Sequence, residues 1–144
     1  MHYKNFLKHY RDEAAELNAT RMQARKEAVA RATISTSSRL RKDTPIFSGF
    51  MQYFPAAIAE VARLSKHGND KHNPGESIHW SREKSNDHAD CLMRHLLERG
   101  ELDGDGFSHT VKVAWRAMAL LQEELESRGA PLAPGATAVP TEEL

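Results

Sequence analysis

From His109 to Gly129 the chain reads HTVKVAWRAMALLQEELESRG, with Val111, Ala114, Trp115, Met118, Leu121 and Leu125 recurring at three- and four-residue intervals. That period fits the turn of an α-helix and not the two-residue repeat of a strand, so the segment predicts a helix with one apolar side. Ser108 is its cap, because a serine oxygen just before a helix accepts from an amide left without an intrahelical partner. No other segment alternates apolar and polar residues as a half-buried strand does. The predicted class is therefore all-α, a helical bundle of about four to five helices.

Residues 3–32 are rich in helix formers and lack Pro and Gly, but Phe6, Tyr10, Ala14 and Leu17 make only a thin apolar stripe. Such a helix needs a partner. Thr33 to Pro45 is a polar Ser/Thr connector. The next helix is expected to open at Pro55, to carry Ile58, Val61, Ala62 and Ser65 along one side, and to stop at Gly68. A third follows Ser85 as its cap and ends at Gly100, with Ala89, Leu92, Met93, Leu96 and Leu97 on an apolar arc. Asp87, Asp90, Cys91, Arg94 and Glu98 fall on the opposite face, and His88 and His95 on the border. Between these helices lies a long loop, Gly68 to Lys84, of a length that compact domains keep for function. From Gly129 onward the Pro/Ala/Gly-rich sequence predicts a mobile tail. The expected organisation is a basic helical segment and linker (1–42), a helical core (43–128) and a flexible tail (129–144).

A chain of 144 residues suits one domain with a modest core. It holds no apolar run long enough to span a bilayer and no start resembling a signal peptide, and a single cysteine, Cys91, which fits a reducing cytoplasm. Net charge is zero but uneven: residues 1–42 hold ten Lys/Arg against four Asp/Glu, and the remainder ten against sixteen. The two parts are suited to attract each other, within a chain or between chains, and the basic part is also suited to nucleic acid or an acidic partner.

The carboxylates Asp87 and Asp90 lie three apart on one helix, where like charges repel unless a cation lies between them. A hard ion such as Mg²⁺ would satisfy both; the alternative is that they favour the positive end of the helix dipole. Glu60, at the edge of the preceding helix's apolar arc, is a candidate third ligand or else a solvated surface residue. Lys66, Lys71, Arg82, Lys84 and Arg94 flank this site with the donors that phosphate requires. Trp80 either plugs the core or offers its face to a nucleobase. Six of the eight histidines lie between His67 and His109, yet none forms a tight zinc pair, and Cys91 has no cysteine partner. No His-Asp dipeptide indicates an HD-type phosphohydrolase. DGDGF lacks the later oxygens and the closing Glu of a calcium loop, which leaves Asp103 and Asp105 as turn residues or, as the alternative, as helpers of the acidic site. His109 is placed either to reach that site's cleft or to stay on the surface.

The loop Gly68-x-x-Lys71-x-x-x-Gly75 with the following Trp80, the Arg94-His95-Leu96 triplet and the Asp-Gly turn leading to His109 resemble the phage-associated dATP/dGTP diphosphohydrolase family, divergent relatives of MazG-like nucleotide pyrophosphohydrolases. The resemblance runs from about Pro45 to Glu126. It implies a MazG-like helical fold assembling as a homo-oligomer, dimer or tetramer, in a bacterial or phage-infected host cytoplasm, with no membrane partner. It further implies cleavage of a purine deoxynucleoside triphosphate to monophosphate and pyrophosphate, with Mg²⁺ (or Mn²⁺) held by the catalytic acids Glu60, Asp87 and Asp90. Lys66, Lys71, Trp80, Arg82, Lys84, Arg94, His95 and His109 would then line the substrate. The sequence departs from the MazG pattern at Arg63, where a second glutamate is expected three residues after Glu60. The alternative to an enzyme is a helical binding protein whose basic N-terminal segment takes nucleic acid or a protein.

Overall fold

The computed structural model describes residues 2–32, 37–84 and 86–137. The described residues form five α-helices: α1 (His2–Ala32), α2 (Ser38–Lys42), α3 (Pro55–His72), α4 (His88–Leu97) and α5 (His109–Ser127). A π-helical turn at Phe47–Met51 precedes α3, and a 3₁₀ turn at Arg82–Lys84 precedes α4. Among the described residues there is no strand, only two isolated bridges, and the all-α expectation holds. Ser108 caps α5 as expected, its Oγ accepting from the Val111 amide at 3.3 Å. The expected cap of α4, Ser85, lies outside the described residues, and Asp87 is the residue at that helix's N-cap.

α3 does not stop at Gly68 but runs a further turn to His72. Its end is set by Asn73 and Pro74 instead, since a residue before proline is driven out of the helical region. The left-handed conformation comes at Gly75, with φ of 82°. The polar connector also holds a short helix, α2, that its Ser/Thr composition did not announce.

α5 is the common partner of α3 and α4, and α1 reaches its far end, where Arg25 Nε donates to the Arg128 carbonyl at 3.2 Å. What these helices bury against one another is a knot of rings. Trp80, His88 and Trp115 meet pairwise at centroid distances of 5.6–5.9 Å, and Trp115 Nε1 donates to Ser65 Oγ at 3.0 Å, which ties α5 to α3. His88 is the most enclosed side chain of the three, 2% exposed. Arg116 Nη1 donates to its Nδ1 at 2.8 Å, and its Nε2 lies 3.4 Å from a Glu123 carboxylate oxygen. Burial holds His88 below the ordinary histidine value, a shift that Glu123 opposes and Arg116 reinforces.

The inward faces of α4 and α5 differ from those the apolar arcs predict. Met93 (53% exposed) and Leu97 (79%) on α4, and Met118 (53%) and Leu121 (50%) on α5, face outward. Buried in their place are His88, His109 and Ala119, flanked by half-buried Cys91, Leu92 and His95. Ring stacking and charge-assisted hydrogen bonds reward the polar residues for turning inward, whereas the aliphatic arc finds no facing surface in one chain.

The segment Gly129 to Thr137, expected in a mobile tail, returns to the loop before α4. Trp80 N donates to Gly135 O at 2.7 Å and Thr137 N to Trp80 O at 2.9 Å, forming a parallel bridge between Trp80 and Ala136. Beneath it, Arg82 meets Glu126 through two nitrogen–oxygen contacts of 2.9 and 2.7 Å, both side chains about 5% exposed. Gln122 Nε2 and the Ala133 amide donate to the same carboxylate, each at 2.8 Å. The Arg82 guanidinium also lies over the Trp80 ring, 4.3 Å from its centroid. Burial pushes Glu126 up, but the donors from Arg82, Gln122 and Ala133 outweigh it and hold the carboxyl below its ordinary value.

Arg82→Ala strands a buried carboxylate and is expected to destabilise the fold by about 3–5 kcal/mol, read as a lower urea midpoint. The lowered His88 value carries a second expectation. As pH falls below 6.5, the unfolded chain takes up the His88 proton before the folded one, so stability declines from there toward the lowered folded value. Urea midpoints across that range should fall in the wild type and fall less in His88→Asn.

Candidate functional site

A cleft of about 530 Å³ opens between the C-terminal half of α3, the loop from Ile78 to Lys84, the Asp103–Asp105 turn and the first half of α5. Its volume is that of a small-molecule site. One wall is fixed by a buried amide network. Asn69 Oδ1 accepts from the His79 amide at 3.2 Å and from Asn73 Nδ2 at 3.3 Å, and Asn69 Nδ2 donates to the Glu76 carbonyl at 3.3 Å. Asn73 in turn bonds the Ser81 hydroxyl at 2.8 Å. Asn69 thereby satisfies two backbone groups of the loop, and the buried Asn73 and Ser81 side chains extend the network from it.

The opposite wall is the turn between α4 and α5. Lys112 Nζ reaches Asp103 at 2.5 Å and Asp105 at 2.6 Å, and the Gly104 amide donates to the other Asp103 oxygen at 2.6 Å. The Lys112 ammonium and then the Gly104 amide bring the Asp103 carboxyl down to about 2. Phe107 packs on the His67 ring of α3, with centroids 5.2 Å apart, which brings the turn against the cleft. At its floor His95 and His109 face each other through their Nδ1 atoms at 2.8 Å. Burial, helped by the positive charge of Lys112, holds His95 below its ordinary value.

Of the residues expected to contact substrate, Lys71, Trp80, Lys84 and His95 line this cleft, and His109 sits beneath it against His95. The other three are engaged elsewhere: Lys66 with Asp70 at 2.6 Å, Arg82 with Glu126, and Arg94 with Asp87 at 2.9 Å. One face of Trp80 is covered by Arg82 and its edges meet Trp115 and His88, so the ring serves the core as well as the cleft wall.

The carboxylates Glu60, Asp87 and Asp90 do not line the cleft. Glu60 is ion-paired with Arg63, whose hydrogen bond holds it below its ordinary value, and Asp87 accepts from Arg94 and Cys91. Asp90 is exposed on α4. Among the described residues these three do not come together as a set of donors around one point, so within a single chain they do not fit a shared ion. The group that does converge is His95, Asp103 and His109, whose ligand atoms lie within 4.8 Å of one another.

Sequence reasoning missed Asn69, Asn73, Ser81 and Arg116, and gave Asp103 a turn role first and a part in the site only second. Two asparagines four apart at the end of a helix, ahead of a loop of polar residues, were the available signal for the amide network. For Asp103 the signal was Lys112 one turn into the next helix, a partner that only the folded turn brings near.

No curated protein and no solved structure matches the chain. The model of the family described as dATP/dGTP diphosphohydrolase, N-terminal, matches residues 38–131, which contain α2 to α5 and every wall of the cleft except its Gly135 edge. With a match over well more than half of its length, the chain belongs to the dATP/dGTP diphosphohydrolase N-terminal family.

Proposed function

We propose that the protein hydrolyses purine deoxynucleoside triphosphates, dATP and dGTP, to monophosphate and pyrophosphate, with the triphosphate held in the cleft between α3 and α5. The family match supports the reaction class, and the observation that carries the location is the cation set on the cleft wall. Lys71 and Lys84 line it, while the acids that line it, Asp103 and Asp105, are already paired with Lys112. Two lysines on that wall suit a polyanion, since ammonium groups are usual partners of phosphate oxygens. Their work in the reaction is to orient the triphosphate and to offset the charge that develops on the leaving pyrophosphate. Trp80 and Trp115 provide an aromatic flank for the base.

Mg²⁺, which is held by oxygen donors and needs only one or two protein carboxylates beside phosphates, would supply neutralisation of the triphosphate charge. Glu60, Asp87 and Asp90 are the acids proposed from the sequence for this contact, and Asp103 and Asp105 are acids on the cleft itself.

The outward Met93, Leu97, Met118 and Leu121 support a second proposal, that a further copy of the chain covers the α4–α5 face.

Incubating the protein with each dNTP and Mg²⁺ and separating the products should give dAMP or dGMP with pyrophosphate. Orthophosphate as the sole phosphate product, or no turnover by folded protein, rejects the reading. Lys71→Ala and Lys84→Ala should each raise KM about tenfold through a lost charge-assisted bond. Asp90→Asn and Asp103→Asn compared side by side locate the acid that turnover needs. Separately, light scattering should return a mass of two or more chains for the wild type, and a lower one for Leu97→Glu.

A further inference from the structure

We propose that His95, Asp103 and His109 form a binding site for a borderline divalent ion, Zn²⁺ or Co²⁺, opening on the cleft. Three donors from three separate places, the last turn of α4, the turn after it and the first residue of α5, bring their ligand atoms within 4.8 Å of one another. Two of them are nitrogens. A pair of imidazoles and one carboxylate is the donor set of borderline ions and not of Mg²⁺, which prefers oxygen.

The Nδ1 atoms of His95 and His109 stand 2.8 Å apart. An ion held on the two ring nitrogens would replace that contact. His109 is 7% exposed and its Nδ1 also lies 3.2 Å from a Glu98 carboxylate oxygen, a second contact that the ion would displace. His95 and Asp103 both line the cleft, so coordination positions not taken by the chain face the space where the proposed triphosphate lies. Three protein ligands with an open position are the arrangement of reactive rather than structural zinc.

Lys112 is the competitor for this site. Its ammonium occupies Asp103 but holds Asp105 as well, at 2.5 and 2.6 Å. It can therefore release Asp103 to an ion and remain paired with Asp105. Removing the lysine should tighten the ion, an outcome that a merely structural cluster would not give.

The site is tested without nucleotide, so its failure is separable from failure of the proposed hydrolysis, which is read by pyrophosphate release. Co²⁺ is titrated into the full chain in excess Mg²⁺, followed by its visible absorption, and then displaced by Zn²⁺. One saturable equivalent is expected. His95→Gln and Asp103→Asn should each weaken it by more than about 100-fold, beyond what loss of a neighbouring support alone costs. Lys112→Met should strengthen it severalfold, and Glu60→Gln and Asp90→Asn should leave it unchanged. His95 is chosen over the more buried His109 so that the variant folds, which circular dichroism confirms. The proposal is overturned if the folded wild type shows no saturable Co²⁺ binding in excess Mg²⁺. It is equally overturned if affinity follows Glu60 or Asp90 while ignoring His95 and Asp103.

Discussion

The bidentate pair between Arg82 and Glu126 is the contact on which the architecture turns. It joins the loop before α4 to the last turns of α5 and, through the Ala133 amide, to the returning C-terminal segment. It also supports Trp80 from one side, and Trp80 in turn packs on Trp115 and His88. A buried ion pair is poor value in itself, because desolvation cancels much of the attraction. Here the remaining carboxylate lone pairs are filled by Gln122 and Ala133, and the guanidinium face by an indole, which is the condition under which such a pair holds.

That polar anchor explains why the interior of a single chain is built from indoles, imidazoles and amides, with little aliphatic packing. α5 presents Lys112, Trp115, Arg116 and Ala119 to its neighbours within the chain, leaving Met118 and Leu121 outside. The cleft inherits this character. Its walls are polar because the groups forming them also hold the elements together: Asn69 closes the loop, and Lys112 closes the turn. Fold and site are made from one set of hydrogen bonds, so a change in one is felt in the other.

Much of the helical layout was legible in the chain. Pro55 at the start of α3, Ser108 capping α5 and the three- to four-residue apolar spacing are local properties, fixed within a few residues. Parts of the site were also legible: Lys71, Trp80, Lys84 and His95 were singled out for residue type and clustering, and they line the cleft. What misled was the treatment of apolar periodicity as a map of the interior. Periodicity says which face is apolar, not whether this chain or another surface covers it.

The sequence by itself determined the longer helices, the Ser108 cap and the concentration of histidines and cations between Gly68 and His109, because each depends on neighbours in the chain. Tertiary structure alone decided which of those groups meet. The approach of His95 to His109 and Asp103 and the burial of Arg82 on Glu126 join residues from eight to forty-four positions apart. The pairing of like-sized, like-charged candidates is set by how α3 and α4 settle on α5. No spacing rule encodes that choice, since it is made by packing energy summed over the whole knot of rings and not by any one residue's preference.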